Sequence, residues 1–126
     1  MSRRVLAIDD DKIFQRMIQI ILQKGRNEVV VMSSVEEGFA YLKANPVDVV
    51  TCDLNLPGLG GIDFLKMVQA DPGTCQIPVV LITAAGFPSD YEMAFQAGAA
   101  GVLEKPFGSV ELEEALQKAI DKKKAV

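Results

Sequence analysis

The chain contains no histidine and no tryptophan, and only two cysteines in 126 residues. Without histidine there is no imidazole metal site, no Ser-His-Asp triad and no phosphohistidine carried by this chain. Cys52 and Cys75 give neither a metal-ligand spacing nor a disulfide framework. Cys52 lies in an apolar run and reads as a small buried side chain rather than a reactive thiol. Long hydrophobic runs are also missing. The longest extend only a few residues, as in Val79–Ile82, so no segment is expected to span a bilayer. Basic charge is not in excess: a net charge of −4 argues against nucleic acid as a direct partner, which needs a basic face. The short basic opening is followed almost at once by Asp9, Asp10 and Asp11, which a secretory leader would not contain. The cytoplasm is therefore the expected compartment.

Apolar residues make up 49% of the chain and charged residues 24%, enough for one core and a wet exterior, so residues 1–126 read as one domain. Residues 4–9 form a short apolar run that ends in acid, a buried strand stopping at a polar edge. From Lys12, Phe14, Met17, Ile18 and Ile21 recur at helical spacing, with Asp11 placed to cap the first turn and Gly25 to end the helix. Val29–Val31 is a β-branched strand. Ser34 with Glu37 is a capping-box pair that predicts a helix to about Ala44, before Asn45-Pro46. Val47–Cys52 is a third strand, ending at Asp53. Asn55 to Gly61 is loop, and Ile62, Leu65 and Val68 mark a helix ended by Asp71-Pro72. Pro78 opens the strand Val79–Ile82, which stops at Thr83. Pro88-Ser89-Asp90 begins a helix closed by Gly98. Gly101–Leu103 is a short strand leading to Lys105-Pro106. Ser109 is the expected cap of a last helix with Leu112, Ala115, Leu116, Ala119 and Ile120 on one face. Lys118 and Lys122–Lys124 suit its C-terminal dipole.

Five β-α units with short connections predict an α/β fold, a parallel sheet with helices on both faces. Right-handed crossovers favour a doubly wound five-stranded sheet of flavodoxin-like order 2-1-3-4-5. Five units are too few for an eight-stranded barrel.

In open sheets of this kind, sites form beyond the carboxyl ends of the strands, at the switch point in strand order. Here that point lies between the first and third strands, which end in Asp9-Asp10 and Asp53. The fourth and fifth end at Thr83 and Lys105. Asp11 reads as a turn former or cap. Asp9 and Asp10 differ: adjacent carboxylates repel, and a third nearby raises the cost unless a cation or proton compensates. Mg²⁺, a hard ion that takes oxygen ligands and keeps several waters, resolves that conflict. Lys105 would otherwise be an ordinary surface lysine. Its place at the acidic rim, before a proline whose peptide bond is a candidate for the cis form, suggests instead that its ammonium offsets the carboxylates. The Thr83 hydroxyl can donate to an anion, with small Ala84 and Ala85 leaving room.

Asp9-Asp10, Asp53 with Pro57 and Gly61 behind it, Thr83, and Lys105-Pro106-Phe107 together resemble the receiver domains of two-component response regulators. The likeness covers essentially the whole chain in order. It implies that Asp53 accepts a phosphoryl group from a sensor histidine kinase or histidine phosphotransfer protein. It implies that Asp10 and Asp53 ligate Mg²⁺ directly, Asp9 through water and Asn55 through its backbone carbonyl, while Thr83 and Lys105 grip the phosphoryl oxygens. A phosphoryl dianion would draw Thr83 and its loop inward, a local charge event with a distant readout. The downstream target is expected on the face of the fourth helix, fifth strand and fifth helix, with Tyr91, Phe95, Glu104 and Lys118 as candidates, although Phe95 reads first as core. A kinase is expected on the first helix near Phe14, Gln15 and Ile18, some of which must be core.

The chain departs from the family pattern in three places. Val102 stands where the fifth strand usually bears an aromatic, so an aromatic–threonine switch of the usual form is not expected. Leu56 replaces a commoner methionine. No effector domain follows the last helix, which suits either a stand-alone regulator or a piece of a longer protein. Asn55 and Ala85 flank the place where attacking water would enter. Other functions on the same fold fit less well. A Mg²⁺-dependent aspartyl phosphatase needs an acid two residues after its nucleophile, where this chain has Asn55. A flavin carrier needs a Ser-, Thr- and Gly-rich loop where this chain has three aspartates. An interaction module that is never phosphorylated has no need of the acidic set.

Overall fold

A computed structural model of the chain describes residues 3–84 and 88–124. It has five strands, β1 (Arg4–Ile8), β2 (Glu28–Met32), β3 (Val49–Asp53), β4 (Val79–Thr83) and β5 (Gly101–Glu104). They alternate with α1 (Lys12–Lys24), α2 (Val35–Ala44), α3 (Gly61–Ala70), α4 (Pro88–Gln96) and α5 (Ser109–Lys124). The strands are parallel, in the order β2-β1-β3-β4-β5. This is the flavodoxin-like arrangement the alternation implied.

Strand side chains alternate between faces, and the core divides accordingly. Leu6 and Ile8 of β1, Val50 and Cys52 of β3 and Val79 and Leu81 of β4 pack with α2, α3 and Ala94 of α4. Val5, Ala7, Val49, Val80 and Ile82 pack on the other face with Phe14, Ile18 and Leu22 of α1 and Leu112, Leu116 and Ala119 of α5. Strands buried on both sides explain the near-continuous apolar runs.

The predicted punctuation is mostly where the sequence put it. Asp11 caps α1, accepting from the N–H groups of Ile13 and Phe14 at 2.9 and 3.4 Å. Ser34 accepts from the Glu37 N–H at 3.2 Å, and its hydroxyl donates to the Glu37 carboxylate, so the side chains close on each other. Gly98 ends α4 at φ +104°, which strains any residue with a Cβ. Two boundaries differ. β3 starts at Val49 rather than Val47 and includes Asp53. Ser109 is the first residue of α5 rather than its cap; the Glu111 carboxylate reaches back instead to accept from the Gly108 N–H at 3.1 Å.

The inward phase of α1 also differs from the apolar pattern. Phe14, Gln15, Ile18 and Leu22 are buried, while Met17 is 38% exposed. Gln15 takes an inward position because its amide donates to the Asp9 carbonyl and to the Ser33 hydroxyl. A polar group is tolerated inside when it is bonded in this way. Phe95, read first as core, is 47% exposed; α4 turns about Ala94 instead, and the Lys122 ammonium lies 5.2 Å from the Phe95 ring centroid.

Candidate functional site

Parallel register sets the level at which each strand delivers its last residue. Ile8 pairs with Cys52, Asp53 with Ile82, and Thr83 with Glu104. Asp9 and Lys105 lie one residue past their strands, which puts Asp9 level with Asp53 and Lys105 one step beyond Thr83. The carboxylates of Asp9, Asp10 and Asp53 each offer an oxygen within 4.8 Å of the others.

Asp9 and Asp53 are held by the same device. One oxygen of each accepts from the N–H two residues on: Asp11 to Asp9 at 2.9 Å, and Asn55 to Asp53 at 3.0 Å. The other oxygen of each faces Lys105, whose Nζ lies 3.3 Å from Asp9 and 3.4 Å from Asp53. The backbone of Lys105 is anchored by donation to the Thr83 carbonyl at 2.8 Å. The Lys105–Pro106 bond is cis, as the motif suggested. Thr83 closes the rim from β4 and is 1% exposed. The loop after Asp53 is tied back by Leu54 N–H to Ile82 and Gly61 N–H to Leu54. Gly61 is required there: a Cβ would come within 2.9 Å of the Asp53 carbonyl and of Leu81.

Burial pushes the Asp9 carboxyl above its ordinary pKa, and Asp53 adds to the rise, against the Asp11 N–H and the Lys105 ammonium. Burial likewise raises the Cys52 thiol, with Asp53 and Asp9 adding repulsion, so Cys52 is an inert core group as expected. The Lys105 ammonium contacts two of the three clustered carboxylates, Asp9 and Asp53. The excess negative charge, the crowding of hard oxygens and the partial exposure of the rim together fit a divalent cation such as Mg²⁺.

Of the expected set, Asp9, Asp10, Asp53 and Lys105 come together at this rim, with Thr83 ending β4 and Asn55 in the loop after β3. Ala85 lies outside the described residues, and Ala84 is exposed. The sequence pattern did not bring out Phe14 as part of the site. Its ring centroid lies 4.0 Å from Lys105 Nζ and 5.8 Å from the ring of Phe107, at 85°. Phe14, Gln15 and Ile18 are buried, so they are not the docking residues of α1; Ile13, Met17 and Ile20 are its exposed apolar side chains. On the opposite flank, Tyr91 donates to Glu104 at 2.7 Å, joining α4 to β5, and Val102 packs into the core where an aromatic is usual.

The family profile described as Response regulator receiver domain matches residues 5–117, and the chain belongs to that family of phosphoacceptor signalling domains. It is 32% identical over 122 residues to the chemotaxis protein CheY-3 of Vibrio cholerae, covering 96% of this chain and 94% of that protein. The solved receiver-domain protein from Clostridium thermocellum superimposes with a TM-score of 0.88 at 31% identity, covering 98% of each chain. The receiver domain of the sensor histidine kinase PA1611 from Pseudomonas aeruginosa, which holds a coordinated magnesium ion in its active-site cleft, superimposes with a TM-score of 0.87 at 25% identity, covering 96% of this chain and 99% of that one. The chain spans about half (51%) of another relative, the probable transcriptional regulator ycf29 of Cyanophora paradoxa, at 28% identity. Receiver domains bind Mg²⁺ in an acidic pocket, and the acidic set is present here. Among the described residues, no helix is long and apolar enough to cross a membrane.

Proposed function

We propose that Asp53 accepts a phosphoryl group from a phosphohistidine donor, either a sensor histidine kinase or a histidine phosphotransfer protein. The observation that carries this is the shared ammonium: Lys105 Nζ sits within 3.4 Å of both Asp9 and Asp53, leaving one Asp53 oxygen on the Asn55 N–H. An Asp53 oxygen forms the new O–P bond as the P–N bond of the donor breaks, and the imidazole departs with the bonding pair. Asp53 becomes a mixed anhydride. Phosphoryl transfer asks a protein chiefly for positioning and charge neutralisation. Lys105 moves its charge from the carboxylate to a phosphoryl oxygen, and the Thr83 hydroxyl donates to another. Asp10, Asp53 and the Asn55 carbonyl would hold Mg²⁺ directly, with Asp9 acting through water. The ion, when bound, neutralises charge on the transferring group.

The whole chain acts as one receiver module, a reading supported by the family match over residues 5–117. Likeness to CheY-3 supports a cytoplasmic site of action. The donor docks on α1 over Ile13, Met17 and Ile20, which are 83%, 38% and 40% exposed. Output passes through α4, β5 and α5, where Tyr91, Phe95, Glu104 and Lys118 face outward or lie at the surface. Val102 leaves the signal to Thr83 and to backbone movement rather than to an aromatic rotamer. No nucleic acid or membrane contact is part of this reading.

Mg²⁺ with acetyl phosphate should label the wild-type chain with a phosphate labile to alkali and hydroxylamine, and Asp53→Asn should abolish the label. Undiminished labelling in Asp53→Asn would overturn the proposal.

A further inference from the structure

Lys105 reaches the acidic rim on a flexible four-carbon stem, and its two carboxylate contacts do not fix it tightly. At 3.3 and 3.4 Å both are longer than the ~2.7–2.9 Å of strong charge-assisted hydrogen bonds. A third contact lies beneath them. The Nζ sits 4.0 Å from the centroid of the Phe14 ring. That ring is 8% exposed, packed in the core between the sheet, α1 and α5, and met edge-to-face by Phe107.

We propose that Phe14 is a positioning residue for phosphoryl transfer, an aromatic floor whose ring face holds the Lys105 ammonium midway between Asp9 and Asp53. The inference rests on the role proposed above for Asp53.

The chemistry explains why an aromatic suits this place. The negative face of the ring attracts a cation but offers no hydrogen-bond acceptor. It steadies the ammonium while leaving its N–H donors for the carboxylates and then for phosphoryl oxygens. A leucine would fill similar space without electrostatic hold, and a carboxylate would compete for the donors. The local chain also couples the floor to the acids. The Asp11 N–H donates to Asp9, and the Asp11 carboxylate accepts from the Phe14 N–H, so one turn positions Asp9 and Phe14 together. Phe107, two residues after Lys105, packs against the ring edge-to-face.

The test replaces Phe14 with mono-, di- and trifluorophenylalanine by nonsense suppression, beside Phe14→Tyr and Phe14→Leu. Fluorination drains the ring face progressively while keeping its shape. The full chain is labelled with Mg²⁺ and acetyl phosphate and followed by intact mass, with unfolding transitions measured in parallel. The expected result is a graded fall in labelling rate along the fluorinated series, reaching about three- to tenfold, with wild-type-like unfolding and a near-normal rate in Phe14→Tyr. A second readout needs no phosphorylation: ring current should shift the Lys105 ε-protons upfield in the wild type, and Phe14→Leu should abolish that shift. Should Phe14→Leu fail to fold, the fluorinated chains still decide the matter. A flat labelling series, or Lys105 ε-protons at ordinary positions, overturns the inference while leaving Asp53 as acceptor. Failure of the wild type to label at all overturns the proposed role of Asp53 and this inference with it.

Discussion

Asp9 and Asp53, delivered by neighbouring strands, share one ammonium: Lys105 Nζ lies 3.3 Å from Asp9 and 3.4 Å from Asp53. The remaining oxygen of each accepts from the backbone two residues later. The two acids thus share a common cation, and a change at Asp53 is felt by Lys105, whose backbone is anchored on the Thr83 carbonyl.

Lys105→Met should leave both carboxylates without that cation. Breaking a partly buried pair is expected to destabilise the fold by about 2 kcal/mol, below the roughly 3–5 kcal/mol of a fully buried one, because the lysine side chain is 24% exposed. Adding Asp9→Asn should recover much of the loss, since the stranded buried charge is then gone. Urea unfolding of the two single variants and the double variant measures the coupling; simple additivity would show that the pair is not coupled. Labelling by acetyl phosphate should also slow about a hundredfold in Lys105→Met.

Much of this was legible in the sequence. The β-α alternation implies a parallel doubly wound sheet and favours the order found, and acids or hydroxyls placed just after apolar runs must reach the C-terminal rim of the sheet. Asp9, Asp53, Thr83 and Lys105 needed no more than that. The phase of α1 was harder to read. An apolar-periodicity argument turns Met17 inward and cannot see that Gln15 is buried to bond the Asp9 carbonyl. Phe14 reads from the sequence as core or docking surface; its contact with Lys105 depends on α1 and the segment after β5 meeting over one face of the sheet, which spacing along the chain does not encode. Phe95 differs for a similar reason: Ala94 is the one buried residue among the described residues of α4, so the phase of that helix is only weakly marked.

Asp10→Asn should stabilise the protein when divalent ions are absent. Like charges within 4.8 Å repel by about 3 kcal/mol at an effective dielectric constant of 20. Allowing for the exposure of Asp10 and for Lys105 leaves a gain of about 1 kcal/mol, or a Tm rise of roughly 3–5 °C. Mg²⁺ at ten times its dissociation constant should stabilise the wild type by about 1.4 kcal/mol, and chelation should reverse it. The variant should lose most of this response. Calorimetry with and without Mg²⁺ checks both, and a wild-type Tm indifferent to Mg²⁺ would count against a metal at this rim.

Tyr91 and Glu104 give a pH dependence of their own. The hydrogen bond to the Glu104 carboxylate raises the Tyr91 pKa above its ordinary value. A pKa raised in the folded state contributes stability that is complete below the unfolded tyrosine pKa and lost as pH rises through the folded one. The chain has only one other tyrosine, Tyr41, so ultraviolet titration of wild type against Tyr91→Phe isolates the group. Glu104→Gln should bring the Tyr91 midpoint down; an unmoved midpoint would mean that the α4–β5 link is not formed in solution.

The acceptor itself can be read by chemistry. After phosphorylation with Mg²⁺ and acetyl phosphate, borohydride reduces an aspartyl phosphate to homoserine, and peptide mapping locates the converted residue. The expected result is homoserine at position 53 and nowhere else, formed only when Mg²⁺ is present. Homoserine at Asp9 or Asp10, or conversion that proceeds equally well without a divalent ion, would contradict the role given to this rim.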